Sequence, residues 1–381
     1  MSPGEVLRNA VEVFEATATR ARSPEEIEGF LAFVPSTPRH SPIRVQLLFH
    51  DGDLSSFLVQ RADRWRGLQV LNPDAGSFRL HVAYGRKEVR SVEGVFAVLA
   101  SGLEGMHRLV TISGSDFWNV AIRRFLKRGY PRLVRPFLRQ TDLRQALEGL
   151  QRQVGPQGQV VVEEISMKEH RAEDHGVDHP SAYDTDRKWT ERSVPDAFDE
   201  ARQRQQWFKS IKFRVERRDL ARKRPVQIAT GRVYKDGQVY LDRSYREFAH
   251  GLLPVLEGAA RDTMKLFAHR GLRERGYEPA RPLEIVYGTD VFDDNGTLQR
   301  FTKTLMQYPR ATKAVLHANP YLHVSVADFV DGSSVELWVL SARRVLLVPQ
   351  AKASVAALGR LTSYIFSQFR EGAVREYIGD E

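Results

Sequence analysis

Thr312 to Pro349 reads TKAVLHANPYLHVSVADFVDGSSVELWVLSARRVLLVP and contains four short β-rich runs, TKAVLHA, YLHVSVADF, VELWVL and RVLLVP. The breaks between them are Asn-Pro, Val-Asp-Gly-Ser-Ser and Ser-Ala-Arg, too short for the crossover that parallel strands need, so the runs read as antiparallel strands. Working outward, LEIVYG from Leu283 supplies another strand, followed by a helix from about Leu298 to Gln307. Ser354 to Phe369 closes the region as an amphipathic helix, with Val355, Leu358, Leu361, Ile365 and Phe369 on one face. Upstream, Asp236-Gly237 is a hairpin turn between GRVYK and QVYL, and Pro254 starts a helix ending near His269.

The N-terminal part mixes the same elements. MSPGEVLRNAVEVFEATATRARS is an amphipathic helical pattern, and Ser23-Pro24-Glu25-Glu26 opens a short helix to about Phe33. After a linker containing Thr37-Pro38 and Ser41-Pro42, IRVQLLF, LSSFLV, GLQVLN and FRLHVAY suggest an antiparallel meander from Ile43 to Tyr84, with a turn at Asp51-Gly52-Asp53. A helix capped by Ser91 is expected from Val92 to about Ser101, then a strand from Leu109 to Ser113, a helix from about Asp116 to Arg128, and a helix capped by Thr141. Val160 to Met167 reads as a strand and the polar stretch Lys168 to Trp189 as a mobile loop. Ser193-Val194-Pro195-Asp196 opens a helix to about Trp207, and Ile211, Phe213 and Val215 alternate with charged residues in a strand. The expected fold is α+β, two domains of mainly antiparallel sheets flanked by helices. The divisions are 1–155, a polar and basic connector 156–225, and 226–381.

Composition limits the chemistry. The 381 residues are 42% hydrophobic, enough for more than one core, and contain no cysteine, which excludes disulfides, thiolate metal sites and cysteine nucleophiles. Glu5, Glu12 and Glu15 interrupt any signal-peptide core and no run of 18 apolar residues occurs, so no membrane association and a cytoplasmic location are expected. No Walker loop, HExxH motif, dinucleotide fingerprint or nucleophile elbow is present, and no motif names a cofactor.

The charge is informative because it is local. Arg202 to Arg224, RQRQQWFKSIKFRVERRDLARKR, carries ten Lys or Arg against Glu216 and Asp219, while the whole chain is only +9. Arg123 to Arg139, RRFLKRGYPRLVRPFLR, adds seven basic residues and no acid. On a helix, Arg123, Arg124, Lys127 and Arg128 fall within about 140° of one another, opposite Trp118, Ile122, Phe125 and Leu126. The cationic candidates continue with Arg132 and Arg135, then Lys209, Lys212 and Arg214 on the outward side of a strand, then Arg217, Arg218, Arg222, Lys223 and Arg224. Tyr130 and Trp207 are the aromatic candidates for stacking on bases. Guanidinium forks suit phosphate, so the expected partner is nucleic acid, held by a non-catalytic binding protein or the binding subunit of a larger assembly.

Two other readings compete. Asp290, Asp293 and Asp294 in YGTDVFDDNG follow a strand and would hold Mg²⁺ in a nuclease or phosphotransfer enzyme, although Asp, Asn and Gly also suit a turn at a helix start. A basic surface would equally dock on an acidic protein, making the chain a structural adaptor. Lesser candidates are Glu163, Glu164 and Lys168 on one strand, His317 and His323 across a turn with Asp328, and the loop histidines His170, His175 and His179.

Overall fold

The strand patterns assemble into two antiparallel sheets, of ten and six strands, in an α+β fold. A computed structural model describes residues 3–33, 43–85, 88–169, 183–203, 207–219, 224–242, 245–268, 281–318, 321–350 and 352–379. The elements run α1 (Pro3–Arg20), α2 (Pro24–Phe33), β1 (Ile43–Phe49), α3 (Leu54–Arg61), β2 (Leu68–Asn72), β3 (Ser77–Tyr84), β4 (Arg90–Ala100) and β5 (Met106–Thr111). A π-helical turn, Phe117–Ile122, leads into α4 (Arg123–Gly129), followed by α5 (Gln140–Val154), β6 (Gly158–Glu169), β7 (Tyr183–Ser193), α6 (Val194–Gln203), β8 (Trp207–Asp219), β9 (Arg224–Tyr234), β10 (Gln238–Leu241), α7 (Tyr245–Gly251) and α8 (Leu253–Ala268). The remainder is β11 (Leu283–Val286), α9 (Asn295–Met306), β12 (Ala311–His317), β13 (His323–Asp328), β14 (Ser334–Ser341), β15 (Arg344–Pro349), α10 (Val355–Gln368) and β16 (Ala373–Glu376).

Contacts divide the chain into Met1–Arg128 with Arg135–Arg261, and Gly129–Val134 with Asp262–Glu381. In the first unit the strand order is β2-β3-β4-β5-β1-β10-β9-β8-β6-β7. This ladder crosses the divisions at 155 and 225, because β10 pairs with both β1 and β9 while β8 joins β9 to β6. Gly155, with φ of 78°, is the C-cap of α5, so the Gly-Pro-Gln-Gly signal stops a helix within a unit.

Three local expectations give way to tertiary context. The run from Val92 to Ser101 is β4, not a helix; it lies between β3 and β5, and Val95 to Leu99 are all buried. Such an apolar run fits a strand covered on both faces as well as it fits a helix. LSSFLV is α3, not a strand: the Asp53 side chain accepts from the Ser56 N–H at 2.7 Å, and Leu54 and Leu58 are buried one turn apart. Part of the expected loop from Lys168 to Trp189 is β7, hydrogen-bonded to β6; His170, His175 and His179 lie outside the described residues.

Helices pack on both faces of the large sheet: α4 lies on one, where Phe125 meets Phe96 of β4 with ring centroids 5.3 Å apart, and α7 on the other. Ile211, Phe213 and Val215 of β8 point inward as their alternation requires, and Phe213 meets Phe248 of α7 with ring centroids 5.8 Å apart. A Cβ at Gly231 would stand 2.8 Å from the Phe213 ring, so the ring is seated against bare backbone. On the same side Arg108 of β5 pairs with Glu257 of α8 and Glu28 of α2. In the second unit the sheet order is β12-β13-β14-β15-β11-β16. Alternate residues of β14 and β15 are buried, and Phe292, Phe301 and Phe369 form an aromatic cluster.

Candidate nucleic-acid interface

On α4, Arg123, Arg124, Lys127 and Arg128 are exposed, while Trp118, Ile122, Phe125 and Leu126 are buried, as the helical spacing dictates. Arg124 lies over Tyr84 at 5.9 Å and donates to the Ala83 carbonyl. Among the described residues no carboxylate lies within ion-pair distance of Arg123, Arg124, Lys127 or Arg128. The rest of that run is dispersed. Arg135 pairs with Asp236 at 3.0 Å, and Arg132 belongs with Tyr130 to the second unit. The Tyr130 ring carries the Arg360 guanidinium at 5.4 Å, and its hydroxyl is buried without a hydrogen-bond partner among the described residues. Burial therefore raises the Tyr130 phenol, and the ring serves the second unit's interior.

In the second run Lys212 and Arg214 point outward from β8 as expected, but they are not bare. β6 carries a bulge between Val162 and Glu164, which turns Glu163 and Glu164 both to the outward face. Glu163 then meets Lys212 at 2.9 Å and Arg214 at 3.2 Å, Glu164 meets Arg232 of β9, and Glu216 meets Arg214. Burial alone would raise the Glu163 carboxyl, but bonds from Lys212 and Arg214 outweigh it and hold the carboxyl below its usual range. Arg217 and Arg218 are exposed, with no carboxylate in ion-pair range among the described residues. Lys209 is half-buried. Arg222 and Lys223, and the side chains of Trp207 and Arg224, lie outside what is described.

A cleft on this outward face takes Lys212 from the second run into its lining. One rung of the antiparallel ladder crosses six strands as Thr111, Arg44, Tyr240, Arg232, Lys212 and Glu164, each residue directly opposite the next. Directly opposed residues share a face, so β1, β10, β9 and β8 present Arg, Tyr, Arg and Lys side by side. A cleft of about 490 Å³ lies over this rung, lined by Arg44, Asn119, Lys212, Thr230, Arg232, Tyr234, Tyr240 and Asp242. Arg44 is only 7% exposed, with its guanidinium 4.8 Å from the Tyr240 ring centre and 6.0 Å from that of Trp118. Burial lowers the affinity of Arg44 for its proton and the nearby Arg123 charge adds to this, while Tyr240 and Tyr234 act in the opposite sense. Asn119 of the π-helical turn and Lys212 of β8 line the cleft from opposite ends of this region, and Arg123 follows that turn directly.

Arg44, Asn119, Arg232, Tyr234 and Tyr240 lay outside both basic runs. A signal for them existed in the outward phase of QVYL and GRVYK, but Arg44 in IRVQLLF reads as an isolated cation in an apolar strand.

The competing constellations are taken up structurally. Asp294 is the N-cap of α9, accepting from Thr297 N at 2.6 Å and Thr297 Oγ1 at 2.7 Å, and Asp290 pairs with Arg343. His317 and His323 face each other across β12 and β13, but His323 stacks on Trp338 at 3.7 Å and Asp328 pairs with Arg360. Among the described residues no three His, Asp or Glu side chains are grouped to hold a metal ion, and no helix is long and apolar enough to cross a membrane. Comparison of the chain with protein-family models, curated proteins and solved structures finds no match.

Proposed function

We propose that this is a non-catalytic nucleic-acid-binding protein, or the nucleic-acid-binding subunit of a larger assembly, that holds phosphates through the α4 cations and the adjoining cleft. The observation that supports this reading is the exposed α4 face, whose Arg123, Arg124, Lys127 and Arg128 have no carboxylate partner among the described residues. Exposed Arg and Lys without carboxylate partners attract a polyanion and release its counterions. Tyr234 and Tyr240 add aromatic surface beside the charge, the combination that single strands use for stacking.

The test is fluorescence anisotropy with labelled single- and double-stranded oligonucleotides, in EDTA and in Mg²⁺, followed by gel analysis of the same samples. Binding without cleavage, weakening steeply as salt rises, is the expected result. No binding at 50 mM salt would reject the reading, and Mg²⁺-dependent cleavage would replace it with an enzyme.

A further inference from the structure

Arg44 is set apart from the other enclosed arginines of its sheet. Arg108 has Glu257 and Glu28, Arg214 has Glu163 and Glu216, and Arg232 has Glu164. Arg44 has no carboxylate within ion-pair distance among the described residues, and its Nε is buried without an acceptor. The indole N–H of Trp118, beneath the same guanidinium, also lacks an acceptor. Such groups are costly to bury unless something pairs with them. The Arg123 charge adds to the cost by repelling Arg44, whereas Lys212 and Arg232 on the same rung are offset by Glu163 and Glu164. An anion entering the cleft would supply the counter-charge that Arg44, on its lining, lacks.

We propose that the cleft is a phosphate-binding pocket for a nucleotide, with Arg44 at its floor as the phosphate's counter-charge and Lys212 and Arg232 at its wall. The phosphate requirement stands on Arg44 and its neighbours alone; that a nucleoside carries it rests on the nucleic-acid reading above. The cleft's volume of about 490 Å³ is in the range of small-ligand sites, roughly 300–1,000 Å³, and exceeds what a bare phosphate needs. Asp242 places a carboxylate, itself already engaged, on the lining. A neutral, hydroxyl-bearing sugar beside the phosphate is compatible with it. Tyr234, half-buried on the same lining, offers a ring for the sugar or base.

The test is thermal melting and calorimetry of the full chain with a 5′-nucleoside monophosphate, the matching nucleoside, inorganic phosphate, and an oligonucleotide with or without a 5′-phosphate, all at one ionic strength. The monophosphate at about 100 times its Kd is expected to raise Tm by about 5–10 °C, and the nucleoside to do nothing. Arg44→Met is expected to lose the response while melting no lower than the parent without ligand, because a buried cation without a carboxylate partner has gone. Lys212→Gln, whose side chain is 41% exposed, is expected to fold normally and bind about tenfold more weakly. The Lys212→Gln comparison decides the matter should Arg44→Met not fold.

No shift with any phosphate-bearing probe, or an undiminished shift in Arg44→Met, overturns the pocket. A full shift with inorganic phosphate alone overturns the nucleotide as its carrier. A response to the oligonucleotide that needs its 5′-phosphate identifies a strand end, and a response confined to the monophosphate identifies the free nucleotide. Polynucleotide binding without a monophosphate response removes this proposal alone; the converse removes the nucleic-acid reading and leaves the pocket.

Discussion

Replacing Arg123, Lys127 and Arg128 together with Gln separates a binding surface from a merely solvated one. All three are exposed on α4 and without carboxylate partners among the described residues, so each is available to neutralise a phosphate. The logarithm of affinity falls with the logarithm of salt by about 0.9 per contact for duplex DNA and about 0.7 for single strands. Three lost contacts reduce that slope by about 2.7 or about 2.1. Across the fourfold range from 50 to 200 mM, the parent should therefore lose about 20- to 40-fold more affinity than the variant. The assay is an anisotropy titration at five or more salt concentrations, with Tm recorded alongside. Stability should change by less than about 1 kcal/mol, because no buried contact is removed.

Arg214→Gln is the internal control. Arg214 already faces Glu163 and Glu216, so it has little charge left for phosphate, and the slope should fall by much less than one unit. An unchanged slope in a correctly folded triple variant would refute the reasoning. So would a larger effect from Arg214 than from the α4 cations.

Three further outcomes follow from the structure. Glu257→Ala should cost about 3–5 kcal/mol and lower Tm by about 10 °C, because Glu257 is 1% exposed and its loss strands the buried Arg108 guanidinium; calorimetry measures it. Burial pushes the His107 imidazole below its ordinary 6.5, with His50 adding to this and the Gly52 carbonyl and Asp53 opposing. The unfolded chain then takes up that proton first, so unfolding free energy should be level above pH 6.5 and fall as pH drops below it. Urea titrations from pH 5 to 7.5 should show a shallower fall in His107→Gln. Asp294→Ala should lose about 1 kcal/mol through the α9 cap while Asp294→Asn loses only a few tenths, and Mg²⁺ should leave the parent's Tm unchanged. A Mg²⁺-dependent rise in Tm that Asp293→Asn abolishes would restore the metal-site reading.

The fold was legible where local chemistry and tertiary demand agree. Ser354 caps α10 by accepting from Ala357 N at 3.0 Å, and the hairpin turn at Asp236-Gly237, with φ of 75° at the glycine, joins β9 to β10. It was illegible where one pattern serves two structures. VFAVL fits either a buried strand or a buried helix, and only its place between β3 and β5 selects the strand. The π-helical turn and α4 were anticipated as one helix because both elements keep the same apolar side. Chain division failed for a related reason, since a glycine that ends a helix looks the same as a glycine that ends a domain.

The site exposes a different limit. Exposed cations on α4 can be assigned from helical spacing, because three and a half residues of sequence determine which way a side chain points. Whether a cation has an acid opposite it depends on register between strands remote in sequence. Glu163 reaches Lys212 and Arg214 from about fifty residues away, and the bulge that turns it outward leaves no signature in the run of valines before it. The same register that neutralises Arg214 leaves Arg44 opposite Tyr240, 196 positions later, with no carboxylate on either side of it. Counting charge along the chain therefore ranked Arg214 above Arg44, while the ladder reverses that order. A cation paired across the sheet contributes to the sheet, and an enclosed cation without a pair calls for a ligand.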